Sequence, residues 1–260
     1  MRADRQAPAI HCAENGDGAH TVVFVHGFGA NHHVWDTLAA RLAKRAKTLA
    51  YDLPGHGLSL DAPGAGSAKF AARAILADLS GRGVEAAHIV GHSMGGAVAT
   101  LMALTEPQRI ASLTLLAPGG FGPEINGPLL RRYAEATDRD EIRACLAAMS
   151  GAGAVVPDDV LRPYFTMRER AGQTEKLVEI AAAITQGGRQ GVIPHELLET
   201  LSMPVTVLWG TDDPVLPFAQ TDNLPAHFTL DAVDGAGHML VGEAPERVRG
   251  AIRANLAESV

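Results

Sequence analysis

Ala87-His88-Ile89-Val90-Gly91-His92-Ser93-Met94-Gly95-Gly96-Ala97-Val98-Ala99 joins a short apolar run to a segment of helical period that extends to about Glu106. Between the two stands the pattern G-x-S-x-G, from Gly91 to Gly95. The string by itself is common enough by chance in a chain with 28 glycines, so its placement carries the reading. A serine on a turn this sharp, between strand and helix, is held in a strained backbone conformation with its hydroxyl exposed at the helix N-terminus. The flanking positions must be small for the chain to turn, and Gly95, Gly96, Ala97 and Ala99 let the helix lie close to the strands beside it.

Outward from this unit, short β-branched runs recur at Thr21 to Val25, Thr48 to Tyr51, Leu113 to Leu116, Val205 to Leu208 and Phe228 to Val233, each followed by a segment of helical period. That alternation predicts an α/β protein with a mostly parallel sheet and helices on both faces. Val34, Leu38 and Leu42 share one helical face, as do Val248, Ile252 and Leu256 behind Pro245, a favoured first-turn residue. The rhythm breaks between Gly119 and Ile193, where no strand is expected. Ile142, Cys145, Leu146 and Met149 form one apolar stripe there, and Leu177, Ile180, Ala181 and Ile184 another. Residues 119–193 are therefore expected to form an all-helical cap on a core built from 1–118 and 194–260. Asp61 to Ser67 reads as a surface loop.

A serine hydroxyl is a poor nucleophile at neutral pH and needs a base, which needs an orienting carboxylate. Two loops at C-terminal strand ends supply candidates: Trp209-Gly210-Thr211-Asp212-Asp213-Pro214 and Gly235-Ala236-Gly237-His238-Met239. His238 is expected to take the Ser93 proton while a carboxylate holds its other ring nitrogen. The backbone N–H groups of Met94 and of Phe28, in His26-Gly27-Phe28-Gly29, are the candidate oxyanion donors. Of the other histidines, His11 and His20 are expected to be solvated, His56 to brace a loop, His92 to pack and His195 to start a helix. His32 and His33 stand beside no further ligands at metal spacing, so neither a metal nor another cofactor is expected. Phe121, Leu129, Leu130, Phe165 and Met167 are the candidate ceiling of an acyl-binding pocket.

Composition bounds the partners. The chain has 260 residues, 47% of them hydrophobic, which at this length suffices for a large core without disulfides. Lys and Arg number 22 against 29 Asp and Glu, a net charge of −7 that disfavours nucleic acid and anionic membrane surfaces as partners. Cys12 and Cys145 are far apart and outside any CxxC pattern, as expected of reduced thiols. Met1 to Pro8 lacks the apolar core of a signal peptide, and no run approaches the length of a membrane span, so a cytoplasmic protein is expected.

Taken in order, His26-Gly27-Phe28-Gly29, Asp52-Leu53-Pro54-Gly55-His56-Gly57, the turn at Ser93, Gly210-x-x-Asp213 and Gly235-Ala236-Gly237-His238 resemble the α/β-hydrolase family from about Ile10 to the C-terminus. The resemblance implies that fold and a Ser93, His238, Asp213 triad, the fourth position of G-x-x-D favouring Asp213 over Asp212. The short N-terminus leaves little room for two leading strands, so a seven-stranded sheet or a frayed first strand is expected. Leu116 to Gly127 resembles the hydrolase-like C-terminal domain of acetoin dehydrogenase acetyltransferase (E2) components. No lipoyl domain is expected upstream, and His32-His33-Val34-Trp35-Asp36-Thr37 lacks the glycine of the E2 signature H-x-x-x-D-G, so lipoamide acetyltransferase activity is not expected. Because dehalogenases and epoxide hydrolases of this fold use aspartate where Ser93 stands, the resemblance implies a hydrolase of small to medium acyl esters or thioesters. Alternatives are a C–C bond hydrolase of the meta-cleavage type, an acyltransferase or accessory component related to the E2, and a ligand-binding fold without turnover.

Overall fold

The computed structural model describes residues 10–257; Met1 to Pro8, read above for a leader, lies outside the described residues. Six strands, β1 (Cys12–Val25), β2 (Ala46–Tyr51), β3 (Ala87–His92), β4 (Ile110–Leu116), β5 (Val205–Gly210) and β6 (Thr229–Val233), form one sheet in the order β2-β1-β3-β4-β5-β6. Every residue of β3 is buried, as are Val22 to Val25 of β1. Strands covered on both faces have no solvent side to mark with polar residues, which is why they appear in sequence as continuous apolar runs. β6 closes one edge and is largely exposed.

The first strand departs from expectation. Its residues His20 to Val25 pair with Ala46 to Tyr51 in ascending, parallel register, yet Cys12, Ala13, Glu14 and Asn15 face Tyr51, Ala50, Leu49 and Thr48 in descending order. Both limbs pair with the same residues of β2, so they occupy its two opposite edges; the first limb is an antiparallel border, and the sheet has six strands with β1 counted once and seven with its limbs counted separately. The chain passes from one limb to the other across the start of β2, where Gly16 (φ +76°) lies against the backbone of Ala43 and Ala46 with no room for a Cβ.

Helices α1 (Asp36–Leu42), α2 (Ala68–Gly81) and α3 (Met94–Thr105) follow the first three strands. Ser67 caps α2 by accepting from Phe70 N–H. Between β4 and β5 lie α4 (Gly127–Glu135), α5 (Arg139–Met149), α6 (Asp158–Arg168), α7 (Gln173–Ile184) and the short α8 (His195–Leu198). The stripe of α5 is buried throughout, and Leu177, Ile180 and Ala181 of α7 are buried with it. One isolated antiparallel bridge, Glu124 to Arg189, ties the entry of this helical segment to its exit. Polar bonds fasten the segment to the loops of the core: Tyr133 donates to the Gly29 carbonyl at 2.7 Å, and Gln173 donates to Gly55 O and accepts from Gly57 N–H. After β6, α9 (Leu240–Glu243) and α10 (Pro245–Ala257) complete the fold, with Val248, Ile252 and Leu256 buried as expected. No helix among the described residues is long and apolar enough to cross a membrane.

Candidate active site

Ser93 sits between β3 and α3 at φ +53°, ψ −118°, a region that non-glycine residues rarely occupy. The surroundings hold it there: its N–H donates to Leu116 O at 2.9 Å, and its carbonyl accepts from Gly96, Ala97 and Gly119. A Cβ at Gly91 would meet the backbone of Gly95, and one at Gly95 the carbonyls of Val25 and His26, so neither position tolerates a side chain without a backbone shift. Strain of this kind persists where neighbouring contacts over-determine the conformation.

The loops after β5 and β6 bring two further groups to the hydroxyl. His238 Nε2 lies 2.9 Å from Ser93 Oγ, and His238 Nδ1 lies 2.7 Å from Asp213 Oδ2. With Nδ1–H donating to the carboxylate, Nε2 is left to accept the serine proton. The other oxygen of Asp213 accepts from Val215 N–H at 2.8 Å and Leu216 N–H at 2.9 Å, which fixes the carboxylate plane. Asp213 is buried, whereas its neighbour Asp212 is exposed and touches Thr211. The N–H groups of Phe28 and Met94 make no hydrogen bond among the described residues, and both residues line the cavity that contains Ser93.

Three buried histidines support this arrangement without joining the chain of proton partners. His92 Nε2 lies 2.8 Å from the carbonyl of His238 and so must be the donor; burial, and then proximity to His238, pushes its pKa down to about 3. It therefore does more than pack. His26 donates from Nδ1 to Gly27 O and accepts Leu53 N–H on Nε2, while His56 accepts Gly29 N–H and donates to Pro54 O, bracing its loop as expected. Burial depresses both, His56 to about 3. His195 is the first residue of α8. His11 is not free in solvent: it is half-buried against the His32 ring, and His11, His32 and Asp52 bring potential ligand atoms within 4.8 Å of one another. The Asp52 carboxylate in that group is already engaged, accepting from His32 N–H, from the His32 ring and from Leu58 N–H.

The cavity over Ser93 has a volume of about 910 Å³. Of the five residues expected to roof it, Leu130 lines it and the others do not. Phe121 lines a separate cavity beside Gln220, Met167 is buried within the helical segment, Leu129 packs against the core, and Phe165 lies under the Arg139 guanidinium. Helical periodicity marks which residues are buried but not what they are buried against. Ile184, from the stripe of α7, also lines the cavity, and Ile125, Ile193 and Leu216, all outside helix and strand, contribute apolar walls that the stripes did not single out.

Comparison with known proteins agrees with this fold. A model of the alpha/beta hydrolase family matches residues 22–251. The chain is similar to the dihydrolipoyllysine-residue acetyltransferase component of the acetoin cleaving system of Cupriavidus necator, 33% identical over 237 residues, 91% of this chain and 63% of that protein. Its counterpart in Pseudomonas putida is 35% identical over 234 residues, 90% of this chain and 62% of that protein. The chain thus spans less than two thirds of the length of these relatives. Among solved structures, a meta-cleavage product hydrolase from Pseudomonas fluorescens IP01 superimposes with a TM-score of 0.83 at 19% identity, covering 96% of this chain and 95% of that one, a likeness of fold.

Proposed function

Because this chain belongs to the alpha/beta hydrolase family, we propose that it is a serine hydrolase that cleaves small to medium acyl esters or thioesters through an acyl-enzyme on Ser93. The observation that carries this reading is the continuous hydrogen-bonded chain from Asp213 through His238 to Ser93 Oγ. His238 takes the serine proton as Oγ attacks the acyl carbonyl, and buried Asp213 stabilises the imidazolium that forms. The N–H groups of Phe28 and Met94 receive the negative charge that develops on the carbonyl oxygen. His238 then protonates the departing alcohol or thiol, and water repeats the sequence on the acyl-enzyme. The residues 119–193 serve as a cap, and Leu130 with the apolar walls around it binds the acyl chain away from water.

Treatment with a fluorophosphonate followed by mass spectrometry tests the reading directly, since the reagent requires an activated serine. The adduct is expected on Ser93, and Ser93→Ala is expected to lower ester turnover by at least ~10³-fold with the fold intact. Label on another serine, or none, overturns the assignment. The relatives that bear the acetyltransferase name make transfer to an acceptor other than water a second outcome to examine, and a dienone C–C substrate belongs in the same screen.

A further inference from the structure

Glu243 ends α9, five residues beyond His238, and its carboxylate accepts three backbone N–H groups. Met239 donates to Oε1 at 2.9 Å; Gly237 donates to Oε2 at 3.0 Å; Gly151 donates to the same Oε2 at 2.7 Å. Met239 and Gly237 are the two chain neighbours of His238. Gly151 comes from elsewhere in the sequence, just after α5. The peptide of His238 itself points the same way, its N–H donating to Met149 O at 2.8 Å. The histidine is thus held on both sides by one side chain that also holds the end of α5.

Two features set this carboxylate apart from an ordinary surface anion. It has no cationic partner among the described residues, and every contact recorded for it is a backbone donor. A carboxylate is acceptor-only, which suits three converging N–H groups, whereas an amide would turn an NH₂ toward at least one of them. The backbones it joins are packed without slack: a Cβ at Gly237 would strike Ser150 and Gly151, and one at Gly151 would strike the Gly235 carbonyl.

We propose that Glu243 is a positioning residue that sets the His238 ring in register with Ser93 and Asp213 and couples that register to the seating of the helical segment through Gly151. The proposal rests on the reading of Ser93 and His238 as the reacting pair. Its action is geometric. Loss of the anion frees the peptides on both sides of the histidine, and a displacement of the ring by about 1 Å is enough to slow a reaction by about 100-fold.

Glu243→Gln provides the test, with p-nitrophenyl butyrate as substrate. Expected is a fall in kcat of about 100-fold with KM changed less than about threefold, because the acyl pocket is untouched. The same substitution in a His238→Ala background is expected to change the residual rate less than about twofold, since a group that acts through the histidine then has nothing to act on. A residue with a merely structural role lowers both backgrounds by the same factor, and that result overturns the proposal, as does full activity of the single variant. Should Glu243→Gln fail to accumulate as folded protein, Glu243→Asp keeps the anion, shortens its reach and is judged by the same ratio. Ser93→Ala in parallel separates the two levels. If it is inactive while Glu243→Gln is unimpaired, only the role of Glu243 falls; if it retains full activity, the reading beneath falls.

Discussion

Asp212 and Asp213 differ in what each oxygen meets. Asp213 spends one oxygen on the N–H groups of Val215 and Leu216 and the other on His238 Nδ1, so both oxygens are engaged by donors, and the residue is buried. Replacing it by asparagine sets an NH₂ against a donor and is expected to lower kcat by about 10⁴-fold, through loss of the productive tautomer of the imidazole. Asp212 is exposed, and Asp212→Asn is expected to stay within about twofold of the parent, as surface substitutions do. Steady-state kinetics on both variants decides between them, and a more damaging change at Asp212 would show the acid misplaced. With the three groups acting as one unit, as proposed, Asp213→Ala added to His238→Ala should lower the rate little beyond His238→Ala alone. The choice of Asp213 was open to sequence reasoning through the G-x-x-D spacing. The role of Glu243 was not, since a glutamate five residues past a histidine has no periodicity to betray it, and its partners are backbone groups that carry no side-chain signature.

The unit of strand, turn and helix around Ser93 depends on absent side chains. Gly95→Ala puts a methyl group into the carbonyls of Val25 and His26 and is expected to destabilise the protein by about 1–3 kcal/mol, as overpacking does. Gly81→Ala, at the end of α2 with nothing within 4 Å, is the control and is expected to be neutral or stabilising by up to about 1 kcal/mol. Thermal unfolding of the two variants measures the difference, and equal effects would mean that close approach of α3 is not what the glycine serves. The helical segment between β4 and β5 makes its own prediction. Each methylene entering an apolar cavity contributes up to about 0.8 kcal/mol, or about fourfold, so kcat/KM over a series of p-nitrophenyl esters should rise with acyl length and then fall. Leu130→Ala enlarges the cavity and should move the maximum to longer chains; a flat profile, or one unmoved by Leu130→Ala, places substrate choice elsewhere. Legibility at this scale followed burial. The central strands were readable because both their faces are covered, and the helices because each has one buried stripe. The antiparallel limb Cys12 to Asn15 was hidden because it lies at an edge and carries no apolar run. Most of the cavity walls were missed because the chain from Gln186 to Pro194 that supplies part of them follows no period.

Across the whole molecule, three buried histidines make stability depend on pH in a direction that can be worked out. His26, His56 and His92 each use a ring nitrogen as a donor to a carbonyl, and in His26 and His56 the other accepts a backbone N–H, so the native bonds of those two require neutral rings, while burial disfavours the charged form of His92. Burial lowers all three pKa values from the ordinary 6.5, with His56 and His92 reaching about 3. Between pH 6.5 and about 3 the unfolded chain therefore holds protons that the native state does not, and stability present above pH 6.5 is lost as pH falls. His56 and His92 each contribute a slope of up to about 1.4 kcal/mol per pH unit in that window, about 3 kcal/mol per unit for the pair, and His26 acts in the same direction. Asp52, which burial alone would raise, is held at about 2 by the His32 ring and neighbouring groups, and its loss acts in the same direction at lower pH, below its ordinary 3.8. Urea unfolding measured from pH 7.5 to 4.5 should show a plateau above pH 7 and a steep decline below 6.5. His56→Gln preserves one acceptor and one donor for Gly29 and Pro54 while removing the titration. Whatever its absolute stability, its slope below pH 6 should be shallower by about 1.4 kcal/mol per unit, the linkage of one proton. An unchanged slope would mean that His56 does not resist protonation in the folded protein, and the acid sensitivity would then have to come from the other buried histidines and the carboxylates.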